Sequence, residues 1–150
     1  MLGTMERILQ LKKIPFFSEF QVRELTAIAS IAQEKTFPEG TQIIQEGEVG
    51  ESLYLVLRGR VSVIKELGRP MELHIAEIGP DDYFGEMALF DRQPRSASVV
   101  AQVETHVLEL SRFEFEEIMK EFPQIAIDAC RVFSQRLREL QQRFGGSGAG

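Results

Sequence analysis

Apolar positions along this chain change period twice. From Val22 they recur at Leu25, Ile28, Ala29 and Ala32, the spacing of one helix face, and Ser18 with Gln21 ahead of them is spaced as a capping box. The preceding "MERILQLKKIPFF" sets Ile8, Leu9 and Leu11 among charges and reads as a short helix ended by Pro15, with Phe16, Phe17 and Phe20 as core. From Phe37 to about Leu110 the texture switches to short runs rich in Val, Ile, Leu and Tyr, punctuated by glycines at 40, 47, 50, 59, 68, 79 and 85. That pattern predicts about eight short strands, folded back as a jelly roll. Within it, Leu53 to Leu57 and Arg60 to Ile64 flank Arg58-Gly59 as the arms of a tight hairpin, Gly59 supplying a positive φ.

Helical spacing returns at Ser111, which forms a capping box with Glu114 ahead of Phe115, Ile118, Met119 and Phe122. Pro123 then opens a last helix whose stripe runs Ile125, Ala129, Val132, Phe133, Leu137, Leu140 and Phe144. The "GGSGAG" that follows can bury nothing and reads as a flexible tail or linker. The expected architecture is mainly β: an eight-stranded jelly roll with N-terminal helices and two C-terminal helices, one domain over residues 5–144 with a tail at 145–150.

Composition narrows the function classes. The 150 residues, 43% hydrophobic and 27% charged, are enough for one domain with its own core. Seventeen basic residues against 23 acidic leave a net charge of −6, a surface that repels polyanions, so nucleic acid is a poor partner. One cysteine, Cys130, rules out an internal disulfide and suits a reducing cytoplasm; it is expected as a buried structural thiol. No run of 18 apolar residues is present, so no membrane contact is expected of this segment. The arginines at 131, 136, 138 and 143 interleave with the last helix's apolar stripe, which suits a solvated face or a homodimer seam.

The chemistry concentrates in "FGEMALFDRQPRSASV", where Glu86 and Arg95 stand nine positions apart. "GEMAL" reads as one helical turn begun by glycine, whose first N–H groups lack acceptors of their own and face an anion. Arg95 would supply a fork of donors, and Gly85 and Ala88 leave room for close approach to the main chain. Glu86 would repel the anion but accept a hydrogen bond from a hydroxyl beside it. A phosphate fused to a sugar with a free hydroxyl, a cyclic nucleotide, meets both demands. A bare ion pair between the two side chains is the simpler alternative.

The stretch "FGEMALFDRQPRSASVVA" resembles the phosphate-binding cassette of cyclic nucleotide-binding domains, the modules of catabolite activator proteins, cyclic-nucleotide-dependent kinases and cyclic-nucleotide-gated channels. Every position of the pattern F-G-E-x-A-L, a short loop, then P-R-x-A is matched, and "FPEGTQIIQEGEVGESLYLVLRGRVSV" looks like the family's first half. The resemblance implies a ligand site at Gly85, Glu86, Met87, Ala88, Arg95, Ser96 and Ala97: Arg95 on the cyclic phosphate, Glu86 on the ribose 2′-hydroxyl, and main chain at Gly85, Ala88 and Ser96 around the phosphate. It also implies a base pocket of Val63, Ile75 and Ala76, with Arg136, Leu137 or Leu140 on the last helix as a lid. Ser96 could bond a syn guanine, so cyclic GMP stands beside cyclic AMP as the ligand. In "GPDDYFGE" the chain departs from the family's usual G-P-G-D, with Asp81 in place of glycine, a small stability cost if that residue is left-handed.

No nucleophile beside a base and no acid pair in a cleft is visible, so the chain reads as a regulatory module and not an enzyme. Its partners would be a cyclic nucleotide and an effector domain or protein, with no metal. Movement of Leu89 and Phe90 against Phe122 and Ile125 would swing the final helix. Two rivals stay open: a cupin-type metal protein using His74 and His106, and a degenerate fold of the same family that serves only protein interaction.

Overall fold

The strand at Ser52–Arg58 is apolar or aromatic from Leu53 to Leu57 because both of its faces are covered. In the computed structural model of the chain, which describes residues 1–145, Leu53 and Leu55 join a core shared with the helices. Val56 and Tyr54, on the opposite face, join a second core between the sheets. The chain runs α1 (Thr4–Leu11), a 3-10 turn at Pro15–Phe17, α2 (Val22–Ile31), β1 (Gln33–Phe37), β2 (Gln42–Ile44), β3 (Ser52–Arg58), β4 (Val61–Lys65), β5 (Leu73–Ile78), β6 (Tyr83–Phe84), a 3-10 turn at Glu86–Leu89, β7 (Ser98–Ala101), β8 (Thr105–Ser111), α3 (Arg112–Glu121) and α4 (Pro123–Arg143). Residues 146 to 150, most of the Gly/Ser tail, lie outside the described residues.

Two four-stranded sheets, ordered β1-β8-β3-β6 and β2-β7-β4-β5, face each other as the expected jelly roll. Every described pairing between named strands is antiparallel. The helices cover the outer face of the first sheet, where Phe16, Phe17, Phe115, Leu108 and Leu110 are all at most 1% exposed. Each such side chain contributes on the order of 1.5 to 3 kcal/mol on burial.

Four local expectations are corrected. Arg58-Gly59 does not close a hairpin, because β3 pairs with β6 and β8 while β4 pairs with β5 and β7 in the other sheet. Gly59 does take a positive φ of 100°, and a Cβ there would sit 2.7 Å from the Glu104 carbonyl, so the dipeptide is a corner between sheets. The capping pair of α2 is shifted: Glu24 accepts from the Gln21 main chain at 2.9 Å, whereas the Ser18 hydroxyl donates to the Pro15 carbonyl. Accordingly Val22 lies outside the core, at 58% exposed. Helix α1 ends at Leu11, short of Pro15, which instead opens the 3-10 turn. Cys130 is exposed, because Ala129 beside it takes the inward position on α4.

The Ser111 cap of α3, the Pro123 start of α4 and the left-handed Asp81 are as expected. The Ser111 side chain accepts from Glu114 N at 3.2 Å, and Pro123 stands at the start of α4. Asp81 is left-handed, with φ 71°, and its carboxylate meets Lys13 Nζ at 2.6 Å. His74 faces Glu72 and His106 faces Glu34, on strands of different sheets, and no three metal-ligating side chains converge among the described residues. No helix among them is long and apolar enough to cross a membrane. Glu24 is buried at 4% exposure, with its second carboxylate oxygen left without a hydrogen-bond donor.

Candidate functional site

Between β6 and β7 the chain must turn back within about a dozen residues, and it does so around one arginine. Gly85, at φ 85°, caps the Glu86–Leu89 turn. Ala88 N–H closes that turn on the Gly85 carbonyl at 3.1 Å, so the Glu86 and Met87 amides are the ones with no acceptor within it. The return strand is pinned to the β2–β3 loop: Arg95 N–H donates to the Glu48 carbonyl at 2.7 Å, and Gly47 N–H to the Arg95 carbonyl at 2.9 Å.

This pinning slots the Arg95 guanidinium between two glycine backbones. A Cβ on Gly50 would lie 2.6 Å from Arg95 Nε, and one on Gly85 would lie 2.7 Å from Nη1. The sequence marked Gly85 for close approach but took Gly50 only as turn punctuation. Arg95 Nη2 donates to the Ser52 carbonyl at 2.6 Å, and no carboxylate forms an ion pair with it among the described residues. Burial is the main influence lowering its pKa; the Tyr54 side chain opposes that shift and the nearby charge of Arg112 adds to it. A half-buried cation without a counter-charge is costly unless an anion completes it.

Glu86 and Arg95 do not pair with each other. Glu86 is held instead by Arg136 of α4, whose Nη1 donates to Oε1 at 2.5 Å and Nη2 to Oε2 at 3.4 Å. The bond to Glu86 raises the Arg136 pKa despite partial burial. The same guanidinium sits 5.8 Å from the centre of the Phe16 ring, so α4 is fixed over the turn by charge on one side and an aromatic face on the other. Tyr83, beside this pair, has its pKa raised by burial first and by the Glu86 charge second.

A cavity of about 450 Å³ opens at this point, within the range of small-molecule sites. Of the residues expected in a ligand site, it brings together Gly85, Glu86, Met87, Ala88, Arg95, Ser96, Ala97 and Val63 on its walls, joined by Tyr83, Phe84 and Val99. Ile75 and Ala76 do not reach the wall. They lie on β5, the edge strand, and Ile75 is 49% exposed although Ala76 stands opposite Val63 in register. Leu137 and Leu140 are likewise turned outward, at 61% and 45% exposure, and Arg136 alone of the three lid candidates bonds to the cassette. Below the cavity, Phe90 packs on Phe115 and Phe133, with ring centres 5.6 and 5.1 Å apart, linking the turn to α3 and α4.

Known proteins match the chain across this region. The profile of the family described as Cyclic nucleotide-binding domain matches residues 34–122. The Cyclic AMP receptor protein of Thermus thermophilus is 33% identical over 129 residues, covering 86% of this chain and 60% of that protein. A cyclic nucleotide-gated potassium channel of Rhizobium etli is 33% identical over 113 residues, 75% of this chain and 30% of the channel. The chain therefore spans less than two thirds of either relative. Among solved structures, the N-terminal domain of a transcriptional regulator from Streptomyces coelicolor superposes with a TM-score of 0.83 at 26% identity, covering 94% of this chain and 99% of that domain.

Proposed function

This chain belongs to the cyclic nucleotide-binding domain family, and we propose that it senses cyclic AMP, with cyclic GMP as the competing ligand, and answers by repositioning α4. The observation that carries the reading is Arg95: a half-buried guanidinium, without a carboxylate partner, on the wall of a cavity fit for a small molecule. The cyclic phosphate completes its charge, and the Glu86 and Met87 amides offer further donors. Glu86 takes the ribose hydroxyl on lone pairs that Arg136 does not use. Val63 and Val99 support the base, while Ile75 and Ala76, one strand further out, meet it only if the edge strand closes. Ser96, exposed on the wall, offers the hydroxyl by which a guanine would be told from an adenine.

The response runs through α4. Phosphate capture shifts the Glu86–Leu89 turn, and Phe90 carries that shift to Phe133 while Glu86 pulls on Arg136. The ligand moves this equilibrium only by binding one position of α4 better than another. An effector, in a longer chain or a separate protein, reads the result; the chain itself acts as a regulator and not as a catalyst, in the cytoplasm. Calorimetry with cyclic AMP and cyclic GMP on the wild type and Arg95→Ala tests the site. The substitution is expected to weaken binding by roughly 2 to 5 kcal/mol, since it strands a desolvated phosphate. Equal affinity of the two forms would sink the assignment.

A further inference from the structure

Arg112, the first residue of α3, points its guanidinium chiefly at main-chain carbonyls. Its Nη1 donates to Gly50 O at 2.5 Å, to Asp91 O at 3.2 Å and to Ala88 O at 3.4 Å. The three acceptors belong to the β2–β3 loop, the Glu86–Leu89 turn and the loop that follows it, and these segments surround Arg95. The Arg112 main chain joins the same bundle, donating to Glu51 O at 2.7 Å.

The placement is unfavourable by ordinary rules. A cation in the first turn of a helix opposes the helix dipole. The side chain is only 14% exposed, and its ion-pair contact is a long one, 3.9 Å from Nε to Glu116 Oε1. Carbonyl dipoles satisfy its N–H groups but do not cancel its charge. Two guanidiniums, Arg95 and Arg112, thus flank one bundle of loops, and among the described residues the 3.9 Å Glu116 contact is the one ion pair either makes.

We propose that Arg112 is a positioning residue that clamps the cassette onto α3 and couples anion binding at Arg95 to the order of α3. An anion at Arg95 offsets the field of both cations, so it lowers the cost of keeping Arg112 docked on its three carbonyls. Ligand and clamp therefore stabilise each other, a reciprocal coupling. This route is polar and separate from the Phe90 contacts. It rests on the cyclic-nucleotide reading of the site.

The test is amide hydrogen exchange on the full chain with and without saturating cyclic AMP, alongside calorimetry, for the wild type, Arg112→Met and Arg112→Lys. The wild type is expected to gain protection in the cassette and in α3 and α4. Arg112→Met is expected to bind about tenfold more weakly and to lose the gain in α3, while the cassette and α4, joined through Phe90 and Arg136, keep theirs. Arg112→Lys, keeping the charge, recovers part of the affinity, a rescue that a purely packing role would not give. Ligand protection of α3 in Arg112→Met equal to that of the wild type overturns the clamp, as does a lysine variant no better than methionine. If Arg112→Met does not fold, Arg112→Lys decides: reduced protection of α3 supports the clamp and full protection overturns it. A wild type that binds neither cyclic AMP nor cyclic GMP overturns the site reading and this inference together, whereas binding unaffected by Arg112→Met removes only the inference.

Discussion

Arg136 and Glu86, fifty positions apart in sequence, are joined through both carboxylate oxygens, at 2.5 and 3.4 Å. The pair ties the one acidic side chain of the cassette turn to the helix proposed to move. Arg136 is 33% exposed and Glu86 16%, so solvent screens the attraction and its worth is modest. A double-mutant cycle of Glu86→Gln and Arg136→Met, followed by urea unfolding, should return a coupling of about 1 kcal/mol that shrinks with added salt. A coupling near zero at low salt would mean that α4 rests on its apolar contacts, with Ile125 and Ala129 in the core and Phe133 against Phe16 and Phe90.

Arg95 sets binding against stability. Because no carboxylate compensates its partly buried charge, Arg95→Met should leave the ligand-free protein as stable as the wild type, or more stable by about 1 kcal/mol, while binding is lost. Thermal unfolding without nucleotide measures this. A loss of stability well beyond that size would show Arg95 to be a structural strut.

How much of this was legible in sequence depends on how far apart the partners lie. The Gly85 cap, the short turn after it, and the Asp81 left-handed residue were readable because each is decided within four residues by main-chain sterics. The two-sheet class was readable from strand length and glycine spacing. The corner at Gly59 was misread because a two-residue break between apolar runs is the mark of a hairpin. The runs were parted by what lies behind them: β3 needs helices on one face and the second sheet on the other. The cassette residues were found through a contiguous motif. Arg112, Gly50 and the Arg136–Glu86 bond were not, since each depends on segments brought together only by the closed fold.

Two glycines beside Arg95 should respond differently to alanine. Gly50 has no positive φ, and the new Cβ would chiefly press on Arg95 Nε and Cζ, at 2.6 and 2.7 Å. Gly50→Ala should displace the guanidinium and weaken cyclic-nucleotide binding about tenfold, with a stability change within about 1 kcal/mol. Gly85 has φ 85°, and its Cβ would also lie 2.7 Å from the Ser52 carbonyl, a backbone atom that cannot swing away. Gly85→Ala should therefore cost about 1 to 3 kcal/mol of stability, read by urea unfolding. Equal stability losses for both would contradict the local geometry.

Glu24 predicts a pH effect. Burial raises its pKa above the ordinary 4.5; the Gln21 main-chain bond partly opposes this, and the Asp128 carboxylate of α4, which only a protonated Glu24 can bond, adds to it. The native state thus holds the proton more tightly than the unfolded chain. Its contribution to stability is full below the ordinary glutamate value and fades as pH rises through the raised native value. Glu24→Gln keeps an acceptor for Gln21 and can donate to Asp128 at every pH. Its advantage over the wild type should therefore grow as pH rises above the ordinary glutamate range in urea unfolding. A difference that does not change with pH would place Asp128 too far away to share a proton.

The outward turn of Cys130 has a practical side. The chain has one thiol, and it stands on the solvent face of α4. A fluorophore or spin label attached there would report from the helix proposed to move, with no second thiol to confuse the signal. Placed against a reporter nucleotide in the cavity, it makes α4 its own ruler.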